Sequence, residues 1–263
     1  LVGIDIPTGD FLHRLATVAD VQTLARFRST LEVERKVTPG FKFDPVTNAD
    51  RAAELALRAL ISTEYPAHAI SGEEFGDVGD GPVRWVLDPI DGTRPFICGI
   101  PVWSTLIGLM IDGRAEMGML SQPFIGERFW ADMSGAWYQK GAERRALRTS
   151  AVGELSDAIL HTTAPESFSK MSRTAFEVLA NTVKMTRYGG ESYACAMLAA
   201  GLIDLCVEPS LQPYDIVAII PIIEKAGGVV ATLDGGRAES GGYVVMSSTP
   251  ALHQQALRLL NQG

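Results

Sequence analysis

The stretch WVLDPIDGTR, residues 85 to 94, decides how the chain is read. An apolar run, Trp85 to Leu87, has the character of a buried strand, and it ends on two closely spaced aspartates. Pro89 and Ile90 cannot both stay in a ladder, because proline brings no N–H. The turn so formed can aim Asp88, Asp91 and the Ile90 carbonyl to one side. Two carboxylates that close repel each other unless a positive group lies between them. Hard oxygen donors in a small space suit Mg²⁺, which takes one or two carboxylates together with water and substrate phosphate. Gly92 removes a side chain where a ligand would approach the backbone. Thr93 adds a hydroxyl at a possible helix start, whose N–H groups suit phosphate. The bland alternative for D-P-x-D alone is a strand-end turn with two solvated aspartates.

More carboxylates lie outward from this turn. Glu73 and Glu74 sit in SGEEFGDVGDGP, residues 71 to 82, read as a glycine-rich acidic loop able to close over metals. Its G-x-x-G-x-G spacing is not a dinucleotide fingerprint. Asp50 follows Thr47 and Asn48, either of which can cap a helix running to about Glu64. Asp215 stands at the start of an apolar helix, after Pro213. Taken singly, Asp50 and Asp215 pass as helix-terminus charges favoured by the dipole, and the two glutamates as surface loop.

The first half predicts a helix from Asp10 to about Val37, a second helix, and then strands. RWVLD is one strand, and residues 104–112 and 114–123 form a hairpin about Gly113. ERFWAD and AWYQK continue the antiparallel set. After about residue 150 strands and helices alternate, as in an α/β half. YDIVAIIPIIEKAGG reads there as one helix. The expected division is 1–150, an α+β half with most of the metal ligands, and 151–263, an α/β half supplying Asp215 and substrate-side residues.

Bulk properties narrow the function. The 263 residues are 46% hydrophobic, enough for a large core. A formal charge of −8 with no basic run argues against nucleic acid. The three cysteines, Cys98, Cys195 and Cys206, form no C-x-x-C pair and read as buried free thiols in a reducing compartment. Four scattered histidines make a zinc site improbable. The longest apolar run near the C-terminus, residues 216 to 223, is too short to span a bilayer, and no leader is evident, so the expectation is a soluble cytoplasmic protein without a membrane partner.

WVLDPIDGT, the upstream G-E-E, the earlier P-V-T-x-A-D and the distal YDIVA…EKAGG occur together and in order. The chain resembles the inositol monophosphatase family of magnesium-dependent phosphatases over about residues 10 to 260. That resemblance implies a layered α/β/α/β/α sandwich of the inositol monophosphatase / fructose bisphosphatase type, a homodimer, and two or three Mg²⁺ per site. It implies that Glu73, Asp88, the Ile90 carbonyl, Asp91 and Asp215 hold metal, that Gly92 and Thr93 offer N–H groups to phosphate, and that Asp50, Thr93 and Glu73 serve catalysis. Lys42 lies close to a lysine of the family pattern, and Tyr214 stands where many relatives have Trp. No covalent nucleophile has motif support: there is no G-x-S-x-G and no cysteine with an arranged histidine.

D-G-T-R-P-F and R-Y-G-G-E-S-Y resemble the histidinol-phosphatase branch. Arg94, Glu191 and Glu208 are the expected substrate contacts. Histidinol phosphate carries an ammonium that Glu191 can pair with, and Glu208 can add a contact, whereas inositol is neutral. Glu191 replaces the commoner Asp, and Pro95 a usually small residue. The alternatives are an inositol or broader sugar-phosphate phosphatase and, from a different class, a non-catalytic binder of a phosphate metabolite or partner on the same scaffold.

Overall fold

The computed structural model describes residues 6–36 and 44–262. Lys42 lies outside the described residues.

Helix α1 (Gly9–Leu24) turns Phe11, Leu12, Leu15, Ala16 and Ala19 inward. It ends well short of Val37. Arg28 has φ 59°, the left-handed region that a right-handed helix cannot contain. Strand β1 (Val33–Lys36) follows and pairs antiparallel with β2 (Asp44–Thr47). Helix α2 (Asn48–Glu64) starts at a capping box in which Thr47 and Asp50 satisfy each other's backbone groups.

Eight strands build the first sheet. They are β3 (Ala69–Gly72), β4 (Gly76–Val78), β5 (Val83–Asp91), β6 (Ser104–Ile111), β7 (Arg114–Gln122), β8 (Glu127–Asp132), β9 (Gly135–Lys140) and β10 (Glu143–Ala146), in the order β10-β9-β8-β7-β6-β5-β3-β4. Pairing is antiparallel except between β3 and β5. The expected 71–82 loop is therefore a short edge hairpin, β3–β4, followed by an open turn. Helix α3 (Thr93–Ile97) is a single turn after β5.

The second sheet has five strands: β11 (Ile159–Thr162), β12 (Met185–Tyr188), β13 (Leu205–Leu211), β14 (Val229–Thr232) and β15 (Gly242–Ser247), ordered β12-β11-β13-β15-β14. Five helices accompany it: α4 (Lys170–Thr182), α5 (Glu191–Ala199), α6 (Pro213–Ile216), α7 (Ile219–Lys225) and α8 (Pro250–Leu260). The expected single helix from Tyr214 is two. Pro221 has no N–H to give the Val217 carbonyl, and its ring crowds that carbonyl, so the helix breaks between Ile216 and Ile219.

Strand alternation stacks these pieces into five layers. Ile107, Leu109 and Ile111 of β6 face α1 and α2, with Trp85 and Leu87 of β5 beside them. Leu106, just before them and of the opposite phase, faces α5 and α7 instead. In the second sheet Cys206 and Met246 close that middle layer, while Leu205, Val207 and Val245 face α4 and α8. The result is the α/β/α/β/α sandwich. Cys195 and Cys206 are buried free thiols, whereas Cys98 is exposed, contrary to expectation.

Two glycines set how closely the middle layer approaches the first sheet. Gly108 and Gly118 are directly paired on β6 and β7. A Cβ on Gly118 would stand 1.9 Å from the Ala218 carbonyl oxygen, and one on Gly108 would stand 2.7 Å from Val217 Cγ1. The α6–α7 junction therefore rests on bare backbone, and Asp215 is carried to the end of β5. Gly118→Ala is expected to cost about 2 kcal/mol or more by overpacking. An unchanged urea midpoint would contradict this contact.

Candidate functional site

The question posed by residues 85–94 is answered by a bulge. Pairing of β5 with β6 is regular from Val83 to Asp88, and its register shifts between Asp88 and Asp91. In an unbroken strand residues 88 and 91 would face opposite sides. The bulge inserts a residue and turns both toward the same cleft. Two bonds hold it: Ile90 N–H donates to Asp88 Oδ1 at 3.0 Å, and Thr105 Oγ1 donates to the Pro89 carbonyl at 2.8 Å. Gly92 has φ 85°, and a Cβ there would stand 3.1 Å from both Glu191 Cγ and Pro95 Cγ.

Carboxylate oxygens of Asp88, Asp91 and Asp215, one from each, lie within 4.8 Å of one another. Asp88 is almost wholly buried. Burial, then the charges of Glu73, Asp91 and Asp215, pushes its carboxyl well above the usual range. Burial also raises Asp91, against the hydrogen bonds from Ser192 that pull it down. Asp215 is held at the start of α6 by the Gln212 N–H at 2.6 Å. An all-oxygen donor set whose members repel in a buried place is suited to a hard divalent cation. It lacks the nitrogen and sulfur ligands of a zinc centre.

Glu73 arrives from the β3–β4 turn, its N–H donating to the Leu87 carbonyl at 3.1 Å, next to Asp88. The turn is anchored by Glu54, which the sequence reading missed. Glu54 is fully buried. It accepts from Glu74 N at 2.8 Å, Phe75 N at 3.2 Å and Arg58 Nε at 2.7 Å. A Cβ on Gly72 would overlap its Oε1 at 2.0 Å. One signal was available: residue 54 falls on the same helical face as Ala53, Leu57 and Ile61, where a lone charge has to find buried partners.

Asp50 is buried beside the bulge. Its Oδ2 accepts from Thr47 N at 2.8 Å and Thr47 Oγ1 at 2.6 Å, and its Oδ1 lies 3.4 Å from Thr93 Oγ1. Thr93 Oγ1 is also 3.2 Å from the Ile90 carbonyl. Burial lifts the Asp50 carboxyl to about 6, with Thr47 pulling the other way.

Glu73, Asp88, Ile90, Asp91, Thr93 and Asp215 line one cleft of about 620 Å³, together with Gly92, Arg94, Glu191 and Glu208, whereas Asp50 lies behind Thr93. Arg94 is exposed. Glu191 is half-buried, with Oε2 shielded and without a hydrogen-bond partner. Burial, then the charge of Asp91, pushes its carboxyl to about 7, with Arg94 opposing. Glu208 is committed in part: its Oε1 accepts from Thr163 N at 2.7 Å and Thr163 Oγ1 at 3.0 Å, and burial raises it to about 8. Asp88, Asp91 and Asp215 thus converge, and Glu73, Ile90, Arg94, Glu191 and Glu208 line the same cleft. No helix among the described residues is long and apolar enough to cross a membrane.

Comparison with known proteins gives a consistent picture. The model of the inositol monophosphatase family matches residues 12–263. The chain is 40% identical over 228 residues to the chloroplastic bifunctional phosphatase IMPL2 of Arabidopsis thaliana, which covers 82% of this chain. The chain spans 65% of the length of that relative. It is 38% identical to the histidinol-phosphatase of Streptomyces coelicolor over 95% of each chain. Among solved structures, an inositol monophosphatase from Zymomonas mobilis superposes with a TM-score of 0.84, at 34% identity and 95% coverage of both chains.

Proposed function

The chain belongs to the inositol monophosphatase family, and on that premise we propose that it is a magnesium-dependent phosphomonoesterase whose substrate is L-histidinol phosphate. The observation that carries the chemistry is the meeting of three carboxylates within 4.8 Å at a strand bulge. Glu73, Asp88, Asp91, Asp215 and the Ile90 carbonyl would hold two or three Mg²⁺. Bound magnesium supplies neutralisation of phosphoryl charge and acidifies water. In this reading residues 1–150 give most of the ligands, and residues 151–263 give Asp215 and the substrate side.

The chain's own residues do the rest. Gly92 and Thr93 would turn backbone N–H groups to the phosphate. Thr93 has one hydroxyl proton and two nearby acceptors, Asp50 Oδ1 and the Ile90 carbonyl. With the Ile90 carbonyl among the groups that would hold a cation, the Thr93 hydroxyl would donate to Asp50, and its lone pairs would accept from a water beside the phosphate. The proton then has a destination at Asp50, whose carboxyl lies at about 6.

Glu191 supports the amino-alcohol ester over a polyol ester. A shielded carboxylate oxygen without a partner is costly until a donor arrives. The ammonium of histidinol phosphate is such a donor, and the similarity to histidinol-phosphatases agrees. Arg94 and Glu208 would complete the contacts. The reading includes a cytoplasmic homodimer, which light scattering after gel filtration checks for assembly.

Phosphate release from L-histidinol phosphate and inositol 1-phosphate, each with an EDTA control, is the test. Histidinol phosphate should be strongly preferred, and EDTA should silence both. Glu191→Ala should reduce kcat/KM on histidinol phosphate about 30-fold more than on the neutral ester, the loss of a charge-assisted contact. Equal losses on both esters would remove Glu191 from substrate selection. Preference for inositol 1-phosphate would favour the alternative, to which the Zymomonas mobilis likeness also points.

A further inference from the structure

We propose that Ser192 is a positioning residue that fixes the Asp91 carboxylate and ties it to the substrate wall. Ser192 is buried at the start of α5. Its backbone N–H donates to Asp91 Oδ2 at 2.9 Å, and its hydroxyl donates to the same oxygen. Ser104 Oγ lies 2.9 Å from Ser192 Oγ. Because the Ser192 proton is already given to Asp91, Ser104 has to be the donor in that contact. Ser104 is itself the ladder partner of Asp91 on β6. Three elements, β5, β6 and α5, are closed into one ring of hydrogen bonds around a single carboxylate oxygen. Asp91 Oδ1 is then the oxygen left for a cation.

The backbone just before Ser192 is arranged for this reach. Glu191 has φ 44°, a left-handed conformation that a residue with a long side chain seldom adopts. Its Cγ lies over Gly92, where any Cβ would crowd it. Gly190 is equally confined, since a Cβ there would meet His161 Nε2 at 2.8 Å and Ala194 Cβ at 2.9 Å. Strain of this kind persists only where surrounding bonds hold it, and the paired bonds from Ser192 to Asp91 are such a hold. One peptide unit therefore links Glu191, on the substrate side, to the orientation of Asp91, on the ion side.

The inference rests on the reading of Asp91 as a metal carboxylate, and its test separates the two. Magnesium is titrated calorimetrically into wild type, Ser192→Ala and Ser192→Thr without ester, and each is melted in EDTA. Wild type should bind; Ser192→Ala should bind about tenfold more weakly, the usual cost of losing a residue that orients a ligand. Ser192→Thr, which keeps the hydroxyl, should return to within about threefold of wild type, a residual loss worth under 1 kcal/mol. Turnover of Ser192→Ala should recover at saturating magnesium, and its melting in EDTA should fall by only about 2 to 8 °C, the cost of one buried hydroxyl rather than of a lost fold. Wild-type affinity in Ser192→Ala would overturn the role, as would equal weakness in Ser192→Thr, which would mean packing rather than the hydroxyl. Should Ser192→Ala fail to fold, Ser104→Ala removes the outer donor. About threefold weaker binding there supports the ring, and unchanged binding overturns it. Absence of magnesium binding by wild type would sink the underlying reading and the proposal with it.

Discussion

Asp91→Asn is expected to leave the chain folded and to remove nearly all turnover. The substitution keeps shape and volume and exchanges one oxygen for an amino group. Asp91 Oδ2 already accepts two donors from Ser192. An amide cannot serve both sides of this position. With its oxygen toward Ser192, its NH₂ faces the cation site; with its NH₂ toward Ser192, three N–H and O–H groups confront one another. Either arrangement weakens the hold on a divalent ion whose share of transition-state stabilisation is several kcal/mol, so turnover should fall by about three orders of magnitude or more.

Stability should move the other way. Without metal, Asp91 is one of three close carboxylates, and burial raises its carboxyl. Removing its charge relieves repulsion, so the variant in EDTA should melt at or above the wild-type temperature. Loss of activity together with early melting would mean a misfolded cleft. Wild-type turnover in Asp91→Asn would sink the metal assignment itself.

Much of this site was legible because its signals are local. The D-P-I-D stretch announces a break in the ladder, read from sequence as a turn at the strand's end and found as a bulge within β5. A helix cap at Thr47 or Asn48 was legible, and Thr47 proves to be the cap; the hairpin about Gly113 follows from alternation, and the pair Asp112 and Gly113, with φ 49° and 76°, makes its turn. What failed was non-local. Nothing around Arg28 marks it as the place where the first helix must stop. The edge strands β4, β10 and β14 are short, and β4 and β10 are exposed, so partners rather than sequence pattern fix them. Pro221 was visible, but a proline inside an apolar run can also be tolerated in the first turn of a helix. Here it is the third residue of α7.

Side-chain roles divide along the same line. Residues whose placement a local turn sets were legible from sequence: Asp88, Ile90, Asp91, Gly92 and Thr93 share one bulge and the turn after it. Ser192 was not, because serine at a helix start normally accepts a bond from its own helix, whereas this one donates to a strand of the other half. Glu54 was missed for a related reason, since Glu54 and Arg58 look like an ordinary solvated i,i+4 pair.

Magnesium is expected to stabilise the protein far more at about pH 8 than at about pH 5, by a linkage whose sign is fixed by the cleft. Burial raises Asp50 from 3.8 to about 6, Glu191 from 4.5 to about 7 and Glu208 from 4.5 to about 8. Asp88 and Asp91 are raised in the same sense. Between each unfolded value and its folded value the folded protein holds more protons than the unfolded chain. Stability from these groups is therefore full at low pH and is lost as pH rises through the folded values. Groups outside the cleft contribute as well, among them Asp20 and Glu224, both raised by burial. Carboxyls pulled down, such as Glu127 and Asp132, matter only near and below their ordinary values of 4.5 and 3.8. His13 and His253, pushed down by burial, oppose the trend below about pH 6.5. Those contributions are common to the protein with and without magnesium, so the gap between melting in magnesium and melting in EDTA cancels them. At low pH protons occupy the cluster and the gap should nearly vanish. At high pH the cluster is ionised, and a hundredfold excess of magnesium over its Kd contributes about 3 kcal/mol. For a chain of this size that is a rise of about 5 to 10 °C. Melting curves at several pH values, each with magnesium and with EDTA, decide it: a gap that stays constant, or that widens toward acid, would mean that the buried carboxylates are not where magnesium binds.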